Sequence, residues 1–301
     1  MDKRSKALFE WSIANATASE DTTTQQTPSS TLDPKIIDAI LGPDDAALMQ
    51  DSMAAIKDAS LSLDDRLTAF DNLELLVESI DNASNLQVLK LWPPLLSQLG
   101  APEAPIRRYA AWVIGTAVQN NPKAQGHLLQ YKGVKKLVES LGDDYAVRTK
   151  VIYALGSELS HCPAAVKQFE EVGGWNLLRV SLEDVEEGTE CQRRIAFLVV
   201  NYLAEEGVST EGLQENGYLA AFVRNLSEVE TDLREKVPQP HRELAVAKGK
   251  TIQAVTMLLE KRVATDATTM GKLKELLPVL RNDPSIDQDL VTTLENTIQA
   301  L

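Results

Sequence analysis

The chain has 301 residues, and 44% of them are hydrophobic, which is enough to bury a large core. Its formal net charge of −14 at pH 7 excludes a nucleic-acid partner from the leading hypotheses, because a phosphate backbone repels an acidic protein. The sequence shows no apolar run of about eighteen residues and no apolar signal region after Met1, so we expect neither a membrane partner nor a signal peptide.

Residue types that carry chemistry are few and scattered along the chain. The two cysteines, Cys162 and Cys191, lack CxxC spacing, so we expect reduced and largely buried thiols. The three histidines show no metal-ligand spacing. We therefore predict a protein that is not an enzyme and has no cofactor or metal. We expect it in the cytosol, with access to the nucleus left open.

One stretch of the sequence is repeated. Residues 106–141 recur without a gap as residues 147–182, an offset of 41 residues (147 − 106). Polar residues and helix breakers repeat together with the apolar positions, as in the pairs Arg107 and Arg148, Gly115 and Gly156, and Pro122 and Pro163. A period near forty residues with helical spacing is typical of an armadillo solenoid.

Each repeat is predicted to contain three helices. Apolar residues recur at spacings of three and four over residues 106–117, which places them on one helix face. Asn121-Pro122 ends that helix, because the residue before a proline is pushed out of the helical region, and Gly133 separates the second helix from the third. A single unit cannot bury its apolar face alone. We therefore predict an all-α, armadillo-like, right-handed superhelical solenoid with capping helices.

The predicted organisation has three parts. Residues 1–16 form an amphipathic segment, and the polar stretch 17–31 is a disordered linker. The armadillo domain spans residues 32–301 and opens with a helical cap. Its repeats are predicted near residues 60–100, 101–142, 143–183 and 188–227, followed by a C-terminal cap at 228–301.

Three stretches carry a resemblance to a known family: LFEWSIAN near the N-terminus, residues 70–96, and IGTAVQNNPKAQ at residues 114–125. They closely resemble the fungal Fes-type nucleotide exchange factors of cytosolic seventy-kilodalton heat-shock chaperones, whose animal counterpart is the heat-shock-protein-binding protein. The resemblance runs from residue 8 to residue 226. It implies a co-chaperone that embraces one lobe of the chaperone's ATPase domain and speeds the loss of ADP. A solenoid with capped ends is expected to be monomeric.

An arginine position repeats, and the position after it does not. The repeated residues are Arg66, Arg107, Arg148 and Arg193. We interpret these four as scaffold that joins carboxylates of neighbouring units. The next position holds Leu67, Arg108, Thr149 and Arg194. Because contacts between repeats do not fix the residue type at that position, Arg108 and Arg194 are predicted to meet carboxylates of the partner. The alternative for each is a solvated side chain.

A second candidate surface is the predicted helix end and loop at residues 81–85, with residues 119–121 at the equivalent edge of the next unit. Small and amide side chains there would permit close approach and offer donors and acceptors. The candidate chaperone contacts at this surface are Asn82, Ala83, Asn85, Gln119 and Asn120. Capping of the adjacent helices is the alternative role.

The resemblance implies a role for the N-terminal segment, because members of the family use a flexible N-terminal segment that mimics a chaperone substrate. Basic residues at positions 3, 4 and 6 precede the apolar side chains of Leu8, Phe9, Trp11 and Ile13. These chaperones favour short apolar peptides with basic neighbours. We therefore expect the segment to enter the chaperone's peptide groove, and docking back onto the first repeat is the alternative.

The main alternative function is an armadillo adaptor that binds an extended cargo peptide, as nuclear-import receptors do. Those receptors place a tryptophan on the groove helix and an asparagine four residues later. The corresponding pairs in this chain are Trp112 with Thr116, Tyr153 with Ser157, and Leu198 with Tyr202. The missing asparagines favour the exchange factor over the adaptor.

Overall fold

The computed structural model describes residues 44–183, 189–236 and 241–301, with no side chains described at residues 228–236 and 241–243. Within these ranges the regular secondary structure is helical, which confirms the all-α class. No helix in them has the length and apolarity needed to cross a membrane. The predicted segment 1–16, the linker 17–31 and the start of the N-terminal cap lie outside the described residues.

The described helices vary from five to twenty residues in length. In chain order they are α1 (Asp45–Lys57), α2 (Leu63–Val77), α3 (Ile80–Val88), α4 (Trp92–Ser97), α5 (Ala104–Val118), α6 (Pro122–Gln130), α7 (Gly133–Glu139), α8 (Tyr145–Leu159), α9 (Pro163–Glu171), α10 (Gly174–Glu183), α11 (Glu190–Ala204), α12 (Glu211–Glu215), α13 (Tyr218–Lys236), α14 (His241–Glu260), α15 (Ala267–Asn282) and α16 (Gln288–Gln299). Short 3₁₀ turns, Gln98–Gly100 and Ser140–Gly142, extend α4 and α7.

The helices are arranged in repeating units of one long helix and two further helices. The long helices α2, α5, α8, α11 and α14 pack consecutively, each against the next, and form one continuous layer. The helices that come between the long helices in chain order form two further rows. Helices α3, α6 and α9 pack in the second row, and α7, α10 and α13 pack in the third. The apolar side chains between these rows form one continuous core, as expected for stacked repeats.

Local sequence signals explain where the helices of the second repeat begin and end. The side chain of Asn121 caps α6 by accepting a hydrogen bond from the backbone N–H of Ala124 at 3.2 Å. Gly133 starts α7, and a Cβ atom built there would lie 2.1 Å from Cδ1 of Leu128. Glycine therefore permits the close approach of α6 and α7.

The repeated arginine position joins neighbouring units in the first two repeats. Arg66 donates hydrogen bonds to the carbonyl of Ile56 at 3.0 Å and to Oε1 of Glu103, in the next unit, at 3.1 Å. Arg107 donates to both carboxylate oxygens of Asp143 at 2.6 Å, and these bonds hold the pKa of that carboxyl below its usual value. These contacts confirm the predicted scaffold role of Arg66 and Arg107.

The same position makes different contacts in the later repeats. The guanidinium of Arg148 lies over the ring of Tyr145, 5.9 Å from its centroid. Arg193 donates to both oxygens of Glu190 at 2.6 and 2.7 Å. Because Glu190 belongs to the same helix, the ion pair shown for Arg193 lies within one unit rather than between two.

The C-terminal part extends the solenoid further than the predicted cap at residues 228–301 implies. Helix α13 runs to Lys236, past the predicted end of the fourth repeat at residue 227. Helix α14 then packs against α11 as the next member of the long-helix layer, and α16 packs against α14. Val291 and Leu294 of α16 are buried. The closing role therefore falls to α15 and α16 rather than to the whole segment.

Candidate functional site

The solvent-facing side of the long-helix layer carries side chains in register with the repeat, and we call it the long-helix surface. Trp112 on α5, Tyr153 on α8 and Arg194 on α11 each follow the previous one by 41 residues (153 − 112 and 194 − 153). All three are half-buried, so each combines a fixed base with an accessible outer part. The layer thus presents large side chains to solvent at regular intervals.

A groove of about 380 Å³ opens on this surface between α8 and α11. Gln119 and Asn120 line it from the α5–α6 loop, Tyr153 lines it from α8, and Arg194 and Phe197 line it from α11. Three predicted chaperone contacts, Gln119, Asn120 and Arg194, therefore meet in one place. They come from two different repeats, and stacking of the repeats brings them together.

Polar contacts hold the groove side chains in place. The hydroxyl of Tyr153 donates to Oε1 of Gln119 at 3.2 Å. Nε of Arg194 lies 2.8 Å from Oε1 of Glu190, and the guanidinium lies 5.5 Å from the centroid of the Tyr153 ring. Burial raises the pKa of Glu190, but hydrogen bonds from Arg193 and the charge of Arg194 outweigh it and lower that pKa overall. Glu190 therefore stays ionised and anchors Arg194.

The α5–α6 loop presents its amides to solvent because the chain reverses direction there. Asn120 has φ of 53°, in the left-handed region that asparagine tolerates better than most residues. Gln119 and Asn120 are exposed, whereas Asn121 is buried and donates from Nδ2 to the carbonyl of Ile80 at 3.1 Å. Of the amides at this edge, the capping role thus belongs to Asn121.

Residues 81–85 do not form the predicted helix end and loop, because α3 runs through them. Ala83 is only 1% exposed and belongs to the core. A partner protein therefore has no access to its side chain, and the predicted contact through Ala83 is wrong. The physical reason is that α3 turns this small residue toward the neighbouring helices.

Asn82 is also placed differently from the prediction. It is 8% exposed, and its Nδ2 donates to Oδ2 of Asp45 at 2.8 Å and to the carbonyl of Leu76 at 3.0 Å. These bonds tie α3 to α1 and α2, so the residue is structural and the predicted contact is wrong. Asn85 is half-buried on α3 and does not line the groove between α8 and α11.

Arg108 lies on α5, outside the groove but on the same layer. Its guanidinium is 5.2 Å from the centroid of the Tyr109 ring, and the side chain is half-buried. Its contact with a partner stays a prediction. The four apolar residues predicted to mimic a substrate, Leu8, Phe9, Trp11 and Ile13, lie outside the described residues.

The sequence interpretation missed Lys150 and Phe197 on the long-helix surface. Nζ of Lys150 lies 3.8 Å from the centroid of the Trp112 ring. Phe197 is 49% exposed, and Nζ of Lys250 lies 5.4 Å from its ring centroid. Phe197 occupies the repeat position that is glycine in the two preceding units. A bulky residue that replaces a repeated glycine is the signal that could have found it.

The described residues contain no group of His, Cys, Asp and Glu side chains arranged to hold a metal ion. Neither Cys162 nor Cys191 forms a disulfide, and burial raises the pKa of the Cys162 thiol. The long-helix surface offers aromatic rings and guanidinium groups, which are enriched where one protein binds another, together with amides that can donate and accept hydrogen bonds. Fold and surface together define an armadillo-type solenoid with a candidate protein-binding face.

Comparison with solved structures supports this class. The chain superposes on an engineered protein with a TM-score of 0.65 at 15% identity, covering 86% of this chain and 100% of the other. It also superposes on a designed armadillo repeat protein in complex with the peptide (KR)4, with a TM-score of 0.62 at 15% identity, covering 86% and 99%. At this identity the likeness shows the fold alone.

Two family models match the sequence. The model described as nucleotide exchange factor Fes1 matches residues 6–86, and the one described as the SIL1/FES1/HPBP1 C-terminal domain matches residues 82–259. The chain therefore belongs to the SIL1/FES1/HPBP1 family, as the sequence resemblance predicts.

Curated relatives agree with this membership. The Hsp70 nucleotide exchange factor FES1 of Mycosarcoma maydis is 39% identical over 220 residues, covering 68% of this chain and 56% of the relative. The Schizosaccharomyces pombe fes1 protein of the same description is 36% identical over 260 residues, covering 85% and 86%. The Kluyveromyces lactis protein is 31% identical over 273 residues, covering 89% and 90%.

Proposed function

We propose that this protein is a co-chaperone that binds the ATPase domain of a cytosolic Hsp70 chaperone and accelerates its release of ADP. The observation that carries the proposal is the pair of family matches, which together run from residue 6 to residue 259. The groove lined by Gln119, Asn120 and Arg194 supports it, because these side chains form an accessible and pre-positioned cluster.

The proposed mechanism is a difference in affinity. An exchange factor must bind the open, nucleotide-free form of its partner more tightly than the ADP-bound form, because equal affinity shifts nothing. Each tenfold acceleration requires about 1.4 kcal/mol of such difference. The ion pairs Arg66–Glu103 and Arg107–Asp143 join neighbouring repeats, and we propose that such contacts keep the solenoid rigid, so that the partner deforms instead. The chain itself carries out no covalent chemistry and needs no cofactor.

The N-terminal segment is proposed to act on client release. Its apolar residues Leu8, Phe9, Trp11 and Ile13 follow basic residues and would compete with client for the chaperone's peptide groove. This part of the proposal depends on the sequence pattern and the family resemblance.

The adaptor alternative is less well supported. A basic cargo peptide, such as the (KR)4 peptide in complex with the designed armadillo repeat protein, would meet the cations of Lys150 and Arg194 on the long-helix surface. Like charges brought together in this way oppose binding.

Stopped-flow release of a fluorescent ADP analogue from a cytosolic Hsp70 tests the proposal. The full chain is expected to accelerate release strongly. Arg194→Ala is expected to weaken binding by about 30-fold, as for a buried interface arginine. Lys167→Ala is the matched control, because its side chain is 78% exposed on α9, away from the groove. No acceleration by the unmodified chain would overturn the proposal.

We also propose that the protein is a monomer in the cytosol, with access to the nucleus left open. Two cysteines that form no disulfide suit a reducing compartment. Light scattering of the purified chain tests the oligomeric state, and imaging of a fluorescent fusion tests the compartment.

A further inference from the structure

Three cations on the long-helix surface each lie over an aromatic ring of the preceding long helix. The pairs are Lys150 over Trp112 at 3.8 Å, Arg194 over Tyr153 at 5.5 Å, and Lys250 over Phe197 at 5.4 Å from the ring centroid. All three distances lie within the range of cation–π attraction. We call these six residues the cation ladder, and it links α5, α8, α11 and α14 in succession.

The ladder places three cations on one layer of a chain whose net charge is −14. Nearby carboxylates already have partners on this chain, since Glu74 accepts a hydrogen bond from Thr116 at 2.9 Å and Glu190 binds Arg194. Burial, followed by the positive charges of Arg194 and Arg108, lowers the pKa of Lys150. Arg194 is already paired with Glu190, so Lys150 and Lys250 are the two ladder cations that an external carboxylate could pair with.

We infer that the cation ladder recognises an acidic strip on the ATPase domain of the chaperone, and that the rings of Trp112 and Phe197 hold Lys150 and Lys250 ready for carboxylates of that strip. The inference rests on the proposed function and adds the charge of the partner surface. Long lysine and arginine side chains lose much conformational freedom when they are fixed at an interface. A ring that orders the cation beforehand reduces that loss.

Charge complementarity of this kind acts mainly on the rate of association. Positive and negative surfaces that face each other steer the encounter, and dissolved salt screens the effect. The inference therefore predicts an association rate that falls with salt concentration and depends on Lys150 and Lys250. An acidic protein surface fits better than a nucleic acid, because the rest of this chain would repel a long phosphate backbone.

The first experiment compares two doubly substituted full-length chains of equal net charge. Lys150→Gln with Lys250→Gln removes two cations of the ladder. Lys135→Gln with Lys167→Gln removes two exposed cations from α7 and α9, outside the long-helix layer. Binding to the isolated Hsp70 ATPase domain is measured at several salt concentrations. The ladder variant is expected to associate about 10-fold more slowly at low salt and to show a shallower salt dependence. The control is expected to match the unmodified chain.

A second experiment tests the role of the rings. Trp112→Leu keeps Lys150 but removes its ring, so we expect about 3-fold weaker binding with the salt dependence retained. Trp112→Leu and Lys150→Gln share one contact and are expected to be non-additive, whereas Phe197→Leu and Lys150→Gln are expected to add. Far-ultraviolet circular dichroism and thermal unfolding check that each variant is folded.

The outcomes separate this inference from the proposed function. If the unmodified chain accelerates ADP release but the ladder variant binds with unchanged rate and salt dependence, the inference is overturned and the proposed function stands. Additive effects of Trp112→Leu and Lys150→Gln would overturn the role of the rings. If the unmodified chain does not bind the ATPase domain at all, the proposed function and the inference both fall.

Discussion

Glu158 shows how a single residue can depart from the repeat that surrounds it. It lies in α8 at the repeat position held by Ala117 in the preceding unit (158 − 117 is 41). Its side chain is fully buried, both carboxyl oxygens lack a hydrogen-bond partner in the structure, and burial raises its pKa to about 9. Nothing in the structure explains a carboxyl at this position.

Glu158→Met is expected to stabilise the protein at pH 8 much more than at pH 6. Burial raises the pKa of Glu158 in the folded protein to about 9, above its ordinary value of 4.5. The free energy of unfolding is therefore highest, as far as this group is concerned, below pH 4.5, and it falls as the pH rises from 4.5 toward 9. The loss reaches at most about 1.4 kcal/mol per pH unit. Urea unfolding of both chains at the two pH values measures it, with exposed Glu171→Met as the control. Parallel pH dependence in variant and unmodified chain would contradict the assignment.

Ala83→Arg is expected to damage the fold rather than to block a binding face. The side chain is 1% exposed, so an arginine there must displace neighbours and carry its charge out of the core. Such substitutions cost about 2–4 kcal/mol of unfolding free energy. Urea unfolding, with Ala83→Ser as the mild comparison, measures the cost. An unchanged free energy of unfolding for Ala83→Arg would mean that the position is accessible after all.

At the scale of helices, the repeat register predicts equivalent positions but not equivalent surroundings. Gly115 of α5 and Gly156 of α8 occupy the same repeat position. A Cβ atom on Gly115 would lie 2.6 Å from Cε1 of Tyr153 and 3.0 Å from Cα of Ala154. On Gly156 the nearest atom, from Leu198, would be 3.9 Å away. Helices α5 and α8 therefore approach more closely at this position than α8 and α11 do.

This difference predicts opposite results for two identical substitutions. Gly115→Ala is expected to lower the free energy of unfolding by about 1–3 kcal/mol, because the added methyl separates α5 from α8. Gly156→Ala has room for its methyl and is expected to raise that free energy by up to about 1 kcal/mol through better helix propensity. Thermal unfolding of the two variants serves as a matched pair. Changes of the same sign in both would contradict the packing described here.

At the scale of the whole molecule, the last helices close the end of the solenoid. Helix α16 packs against α14, and its Val291 and Leu294 are buried, as are Leu273 and Leu280 of α15. Deleting residues 264–301 would uncover apolar surface on the last long helix. We expect a lower melting temperature and association of the shortened chain, measured by calorimetry and light scattering. A monomer that melts like the full chain would show that the closing helices are dispensable.

The other end of the molecule separates two proposed activities. Deleting residues 1–31 removes none of the residues that form the long-helix surface, so ADP release from the chaperone is expected to stay within about twofold of that of the full chain, as for changes at independent sites. Release of a fluorescent client peptide is expected to slow, because the segment would no longer compete for the peptide groove. Unchanged client release would contradict the substrate-mimic proposal.

Local features of the chain were enough to predict the three-helix repeat, the solenoid class and the family. Helix periodicity and the proline and glycine breakers act within one unit, and the 41-residue offset is visible when consecutive stretches of the sequence are compared, so all of them can be found without the tertiary structure. Several contacts between units were not predicted from the sequence: Ala83 is buried, α14 extends the layer of long helices, and Lys150 lies over Trp112. These depend on how far each helix is rotated and shifted against the next, and packing of side chains distant in sequence sets that geometry.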